Sequence, residues 1–100
     1  TTPIDDFNPR HGLDDIQLLD LWQWNESIFM ANTEGSPLRR TGYQSFMRNI
    51  AIGLGNAPFS TEIMETLKQT RDQHDEIVQV HIDWAIQEHL AKSSSILSQN

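Results

Sequence analysis

One apolar helix pattern constrains the fold of this chain more than any other feature. Between Tyr43 and Leu54, apolar side chains recur at i, i+3, i+4 and i+7, the spacing that places them on one face of an α-helix. Ser36-Pro37 suits the start of this helix, with Gly42 expected to break or kink it, and Gly55-Asn56 with Pro58 ends it. The positions on the apolar face are Tyr43, Phe46, Met47, Ile50, Ala51 and Leu54.

The remaining chain carries four further helix patterns and no alternating pattern typical of a strand. The first helix is predicted over about 14–22, and Asn25 caps a second, short helix that ends at Gly35. Ser60 caps a fourth helix, and a fifth is predicted over about 75–92. We therefore expect an all-α fold of about five helices joined by short turns.

A weak internal repeat favours stacked antiparallel helical hairpins. Segment 48–52 aligns imperfectly with segment 82–86, 34 residues later, and such a period is typical of helical-repeat solenoids. One hairpin could not bury its apolar face, whereas stacked hairpins could. The predicted organisation is an extended lead-in over 1–12, a helical-repeat domain over 13–92 and a polar, frayed tail over 93–100.

The composition excludes several kinds of chemistry. The chain has no cysteine, so it can hold no disulfide, thiolate nucleophile or cysteine-ligated zinc or iron–sulfur cluster. Its 100 residues suit one domain, and no apolar run approaches the ~20 residues that span a bilayer. The chain begins Thr1-Thr2-Pro3 without methionine. We expect an excised domain or the tail of a longer protein in the cytoplasm.

Charge is distributed unevenly along this acidic chain. Residues 35–59, the basic segment, hold three arginines and no acidic residue, whereas the other positions hold four basic and fourteen acidic residues. The net charge of −7 therefore divides into +3 in the basic segment and −10 elsewhere. An acidic balance argues against indiscriminate nucleic-acid binding, so any anionic partner is expected to contact the basic segment.

Residues 33–58 and their flanks resemble the C-terminal helical domain of epoxyqueuosine reductase, over roughly 6–87 of the chain. One part, Arg48-Asn49-x-Ala51-x-x-Leu54-Gly55, is similar to the second helix of a HEAT-like repeat. The strings that carry the longer resemblance are Thr33-Glu34-Gly35-Ser36, Arg39-Arg40, Arg48-Asn49-Ile50-Ala51 and Leu54-Gly55-Asn56-Ala57-Pro58, with Phe7, Pro9-Arg10, Leu19 to Trp24 and His81-Ile82-x-Trp84-Ala85-Ile86 on the flanks.

This resemblance implies a HEAT-like accessory domain of an oxidoreductase in queuosine biosynthesis. The parent enzyme would reduce an epoxide on a modified base at the wobble position of tRNA. Members of the family use a cobalamin and two 4Fe–4S clusters bound by upstream domains. The cluster cysteines, the cobalamin pocket and the catalytic acid have no counterpart in this sequence. The resemblance therefore implies no catalytic residue and no metal site on this chain alone.

Three arginines and one tyrosine are the candidate nucleic-acid-binding residues. Arg39, Arg40 and Arg48 carry guanidinium groups suited to phosphate oxygens, and the resemblance implies the anticodon stem-loop of tRNA as the partner. Arg40 and Arg48 share a face if their helix is continuous. The alternative for Arg48 is an ion pair or a helix-end carbonyl. Tyr43 could stack on a base, or it packs at the boundary of the core.

The histidines and tryptophans have ordinary structural interpretations. His74, His81 and His89 lack the i, i+4 spacing of a metal-binding pair; we expect His81 to be hydrogen-bonded beside Trp84 and the other two to be solvated. Three tryptophans would usually lie in the core. Trp24, at a helix junction, is predicted to be the most exposed of the three.

A second class of function stays open at this stage. A scaffolding or protein-interaction domain would use Trp24, Phe59 and the Arg39-Arg40 turn to dock on the parent protein or on a partner. The two classes differ in their response to salt, because phosphate binding weakens steeply as salt rises and apolar docking hardly changes.

Overall fold

The computed structural model describes residues 14–35 and 38–98, apart from the side chains of Asp15, residues 38–41 and residues 95–98. Within the described residues the chain forms five α-helices and no strand, so the all-α prediction is confirmed. The helices are α1 (Asp15–Trp22), α2 (Glu26–Asn32), α3 (Leu38–Asn56), α4 (Thr61–Thr70) and α5 (Glu76–Ser98), with a 3-10 turn at Arg71–Gln73 between α4 and α5. None of these helices has the length and apolarity needed to cross a membrane.

Short polar side chains fix where four of the helices begin. Each accepts a hydrogen bond from a backbone N–H in the first turn, which has no partner within the helix. The pairs are Asp14 with Gln17 N (2.8 Å), Asn25 with Ile28 N (2.9 Å), Ser60 with Ile63 N (3.2 Å) and Asp75 with Val78 N (3.0 Å). These starts agree with the predicted ones. The predicted start of α3 at Ser36-Pro37 and the lead-in over 1–12 lie outside the described residues.

Gly42 divides α3 into two helical segments. Its backbone lies at φ 85° and ψ 163°, a conformation that essentially only glycine adopts. Among the described residues no neighbouring atom would obstruct a Cβ at this position, so it is the backbone torsion that favours glycine there. The kink expected near the start of this helix is therefore present at Gly42.

The apolar face of α3 lies at the centre of the core. Five of its six predicted positions are buried, and Tyr43 is half-buried at the edge. Helices α1, α2 and α5 all pack on α3, and its contact with α5 is the most extensive. The buried positions contributed by the partner helices are Leu18, Trp22, Phe29, Val78, Ile82 and Ala85.

Helices α3 and α5 run parallel, with α4 antiparallel to both. Gln44 near the start of α3 bonds to Asp75 at the start of α5, and Leu54 near the end of α3 bonds to His89 far along α5. Parallel α3 and α5 separated by an antiparallel helix are compatible with stacked hairpins. The HEAT-like order of stacking stays a prediction.

His89 and Lys92 on α5 bind the carbonyl groups where α3 ends. The His89 ring is fully buried, its Nε2 donates to Leu54 O at 2.7 Å, and its Nδ1 accepts from Ser60 N–H at 3.2 Å. Lys92 Nζ donates to Gly55 O at 2.8 Å and to Ala57 O. The prediction that His89 is solvated is wrong, because the last carbonyls of a buried helix end need donors from elsewhere in the fold.

Helix α5 extends to Ser98, six residues beyond the predicted end at Lys92. The sequence after Lys92 is polar, but it contains neither glycine nor proline. Serine lowers helix stability only slightly compared with those two residues, so a serine run does not stop a helix already in progress.

We expect Gly42→Ala to destabilise the domain by about 1–3 kcal/mol, because alanine would be strained at this φ and ψ. Urea denaturation followed by circular dichroism would measure the change. Asn49→Ala, at an exposed helical position of α3, is the control and should leave the free energy of unfolding nearly unchanged. Equal stability of Gly42→Ala and the wild type would mean that α3 can straighten at no cost.

Replacing His89 with phenylalanine should lower the free energy of unfolding by about 2–4 kcal/mol, because Leu54 O and Ser60 N–H would be buried without partners. His81→Phe is the matched control on the same helix. The His81 ring is only partly buried and contacts Ile77 O of its own helix at 3.0 Å. Comparable losses in the two variants would assign the effect to ring polarity on α5 rather than to the end of α3.

Candidate functional site

The kink in α3 separates the candidate arginines into two groups. Arg39 and Arg40 lie in the helical segment before Gly42, and Arg48 lies in the segment after it. Because the helix is not continuous, the spacing of eight residues does not by itself place Arg40 and Arg48 on one face. The side chains of Arg39 and Arg40 lie outside the described part of the chain.

The Arg48 side chain is partly exposed on α3. It forms no hydrogen bond or ion pair with any residue that the structure describes, so neither an acidic partner nor a helix-end carbonyl is seen for it there. Arg71 is different, because its guanidinium binds both carboxylate oxygens of Asp83, at 2.6 and 2.9 Å. That contact raises the pKa of Arg71 and lowers the pKa of Asp83.

An acidic group contacts the residue that lies one helical turn before Arg48. Gln44 precedes Arg48 by four residues on α3, and its Nε2 donates to Asp75 Oδ2 at 2.8 Å. This hydrogen bond, followed by the one from Val78 N–H, holds the pKa of the exposed Asp75 carboxyl below its ordinary value. The negative charge is therefore retained at neutral pH, and the start of α5 forms an acidic border beside Gln44.

Tyr43 is half-buried and held within the domain. Its hydroxyl donates to Trp24 O at 2.7 Å, and its ring lies 5.8 Å from that of Phe29 at an angle of 60°. Burial raises the pKa of the phenol, and the nearby charge of Glu26 raises it further. These contacts correspond to the packing alternative for Tyr43. Its ring also lines a pocket at the junction of α1 and α2.

The exposure of the tryptophans differs from the prediction. Trp24 is partly buried and stacks on Phe46 with 5.5 Å between ring centroids, whereas Trp84 is 38% exposed. The prediction that Trp24 is the most exposed tryptophan is therefore wrong. Trp84 lies over Gly55, where an added Cβ would overlap the indole ring. The missing side chain at Gly55 lets the indole contact the α3 backbone while one side stays open to solvent.

His74 packs against Trp22 at the end of α4. Their ring centroids are 4.8 Å apart, and the Trp22 Nε1 donates to Thr70 Oγ1 at 2.8 Å. Burial lowers the pKa of His74, and the neighbouring Asp75 charge opposes this effect. The prediction that His74 is solvated is thus wrong, since its side chain is only partly exposed and packs on Trp22.

The described side chains form no grouping suited to acid–base or metal chemistry. No set of three or more histidine, aspartate and glutamate residues within 14–35 and 38–98 is placed to hold a metal ion.

Sequence reasoning missed the pocket at the α1–α2 junction because it assigned the tryptophans to the core. The signal was present in Trp22-Gln-Trp24-Asn25-Glu26, which places two aromatic residues and an acidic one around a helix cap. A capped junction brings such residues together on a short turn. His74, 48 residues after Glu26, carried no local signal for its place in this pocket.

Comparison with known proteins gives several relatives that are named epoxyqueuosine reductase. The chain is 49% identical over 84 residues to the protein from Pseudomonas aeruginosa, which covers 84% of this chain and 23% of the relative. It is 45% identical over 94 residues to the Yersinia pestis protein, which covers 94% and 23%. The Escherichia coli protein is 36% identical over 96 residues, which covers 96% and 25%.

These relatives confirm the resemblance identified from residues 33–58 and their flanks. The chain spans about a quarter of the length of the relatives it matches, as expected for one domain of a longer protein. No protein-family model and no solved structure matches the chain significantly.

Stability is expected to fall as the pH drops below about 6.5, the ordinary pKa of histidine. Because the folded-state pKa of His74 is lowered, the unfolded chain binds more protons in this window. The contribution is complete above the unfolded-state pKa and is lost as the pH falls through the folded-state pKa. Urea denaturation at pH 8 and pH 5 should show a smaller pH dependence in His74→Gln than in the wild type. Identical pH dependence would exclude His74 as a contributor.

Proposed function

We propose that this chain, related over about a quarter of their length to the epoxyqueuosine reductases, is a helical domain of such an enzyme that helps to position tRNA. The observation that supports the tRNA role is Arg48. Its side chain is partly exposed in a segment that holds three arginines and no acidic residue, and it has no partner among the described residues. A guanidinium in this state keeps its donors available for phosphate oxygens.

The chemical step belongs to other parts of the proposed protein. The parent enzyme would reduce epoxyqueuosine to queuosine at the wobble position of tRNA in the cytoplasm, with a cobalamin and two 4Fe–4S clusters. This chain has no cysteine to ligate a cluster, and no metal-binding group is found among its described residues. Its contribution would be binding and orientation of the RNA.

Electrostatics limits how the RNA could lie on the domain. The basic segment carries +3 while the rest of the chain carries −10, so phosphates are attracted to α3 and repelled from most other surfaces. Asp75 at the start of α5 bonds to Gln44, the residue one turn before Arg48, and places a negative charge at that part of α3. An anticodon stem-loop would therefore lie along α3, with its backbone directed away from the start of α5.

A scaffolding function is the second candidate, and the exposed apolar residues of α5 favour it. Ile77, Val80 and Trp84 recur at helical spacing and are 47%, 65% and 38% exposed. Trp24 and Phe59, which the sequence suggested for docking, are partly buried against Phe46 and His89. A protein contact would therefore use α5 more than these two rings.

Salt dependence separates the two candidates. Fluorescence anisotropy of a labelled anticodon stem-loop, titrated with this chain at about 50 and 200 mM salt, should show binding that weakens steeply with salt. Arg39, Arg40 and Arg48 replaced together by alanine should lower the salt slope by about two, because each phosphate contact contributes roughly 0.7–0.9 to it. Binding through an apolar surface would have little salt dependence.

Two further variants test whether Arg48 acts through its charge. Arg48→Lys should keep most of the affinity, and Arg48→Ala should weaken it. Lys68→Ala removes one exposed positive charge from α4, outside the basic segment, and should leave binding unchanged. Equal effects of Arg48→Ala and Lys68→Ala on RNA affinity would mean that binding depends on the net charge of the chain and not on the position of Arg48. Wild-type binding by the triple variant would contradict the proposed tRNA role.

A further inference from the structure

A half-open pocket of about 230 Å³ lies where the turn between α1 and α2 meets the start of α3 and the end of α4. Aromatic rings and amides supply most of its wall, and one carboxylate lies among them. Its lining residues are Trp22, Gln23, Trp24, Asn25, Glu26, Tyr43, Thr70, Gln73 and His74. Arg48 is not among them, and Tyr43 is the one described residue of the basic segment in the wall.

Hydrogen bonds inside the protein already occupy two donors of this wall, the indole N–H of Trp22 and the hydroxyl of Tyr43. Trp22 Nε1 donates to Thr70 Oγ1 and the Tyr43 hydroxyl donates to Trp24 O, which fixes both rings and leaves their carbon surfaces for contact. The Asn25 side-chain oxygen caps α2. The acceptors that remain are the Glu26 carboxylate and the amide oxygens of Gln23 and Gln73.

The Glu26 carboxylate has no counter-ion among the described residues. It forms no ion pair or hydrogen bond through its side chain there, yet its charge is close enough to Tyr43 to raise the pKa of the phenol. Among the side chains that the structure describes, no lysine or arginine lines the pocket. Arg71 lies between the pocket residues Thr70 and Gln73 in the sequence, but its guanidinium group is bonded to the Asp83 carboxylate.

The charges around the pocket also favour a cation. His74 is mainly neutral at pH 7 because burial lowers its pKa. Asp72 and Asp75 flank Gln73 and His74 along the chain, and both are exposed. A phosphate would be repelled here, whereas a positive charge would be attracted by the carboxylates and by the faces of the aromatic rings.

We propose that this pocket binds a guanidinium group, as carried by an arginine side chain from outside this chain. A guanidinium is planar and weakly hydrated, so it stacks on aromatic rings while its N–H groups reach carboxylate and amide oxygens. An ammonium group is more strongly hydrated and lacks the flat face. The proposal rests on the Glu26 carboxylate and the aromatic rings of the wall, and it does not depend on a role of this chain in tRNA binding.

Titration of the isotope-labelled chain with acetylarginine amide, followed by two-dimensional NMR, tests this directly. The indole N–H signals of Trp22 and Trp24 should shift in a saturable way, with a dissociation constant in the millimolar range. The signal of Trp84, outside the pocket, should stay in place and serves as the internal reference. Methylguanidinium should produce the same shifts if the group alone is recognised, and shifts with the amino-acid amide only would assign the site to an arginine side chain.

Matched compounds and variants separate charge from shape. Acetylcitrulline amide has the same shape without the charge and should bind at least about three- to five-fold more weakly, the range expected for one partly exposed ion pair. Glu26→Gln should weaken acetylarginine amide to a similar extent. Glu62→Gln, also in the first turn of a helix and exposed, is the control and should not change binding.

A lysine introduced inside the wall provides a second test that does not remove Glu26. Gln73→Lys would place a tethered cation in the pocket and should abolish the shifts caused by acetylarginine amide. Equal binding of the citrulline and arginine compounds would overturn the proposal. So would unchanged binding by Glu26→Gln, absence of saturable shifts, or stronger binding of adenosine, which would identify a nucleobase site instead.

Discussion

Helices α1, α2 and α5 take their positions from the buried face of α3. Phe46, Met47, Ile50 and Leu54 are almost completely excluded from water, and they lie between elements that precede and follow α3 in the chain. Burial of apolar side chains is the main favourable term in folding. Burying the apolar face of α3 therefore requires helices from both halves of the sequence, α1 and α2 before it and α5 after it. The remaining contacts adjust the ends of helices that this face has already brought together.

Local rules of sequence predicted much of this arrangement. The caps at Asn25 and Ser60 and the kink at Gly42 depend on one residue and its immediate neighbours, so they can be identified without a structure. The apolar face of α3 follows from its periodicity in the same way. His89 could not be placed by such rules, because its two partners lie 29 and 35 residues away in the chain.

In the candidate functional site, too, local rules of sequence do not predict contacts between residues that are distant in the chain. The basic segment is visible in the sequence, but the lack of a partner for Arg48 among the described residues and the acidic border at Asp75 depend on how α3 lies beside α5. The tryptophans show it again, since exposure of Trp84 and burial of Trp24 follow from which helix covers each ring. The types and spacing of the residues identified the candidates, whereas their exposure and their partners could be read only from the packing of the helices.

The basic segment and the pocket that contains Glu26 are surfaces of opposite charge on this domain. Arg48 on α3 is partly exposed in the basic segment, and Glu26 lies in the wall of the aromatic pocket at the junction of α1 and α2. Two surfaces of opposite sign on a small domain can contact two different partners at once, for example an RNA backbone and a positively charged protein segment. Such an arrangement orients the domain between them.

The contacts of His89 and Lys92 also determine the order in which the chain can complete its fold. The carbonyl groups at the end of α3 gain these donors only from residues about 35 positions later. During synthesis, α1 to α4 can therefore collapse around α3 while its last turn still depends on water. Water is excluded from that turn only after residues 89–92 leave the ribosome and α5 packs on α3. A chain interrupted before residue 89 would therefore lack a completed core.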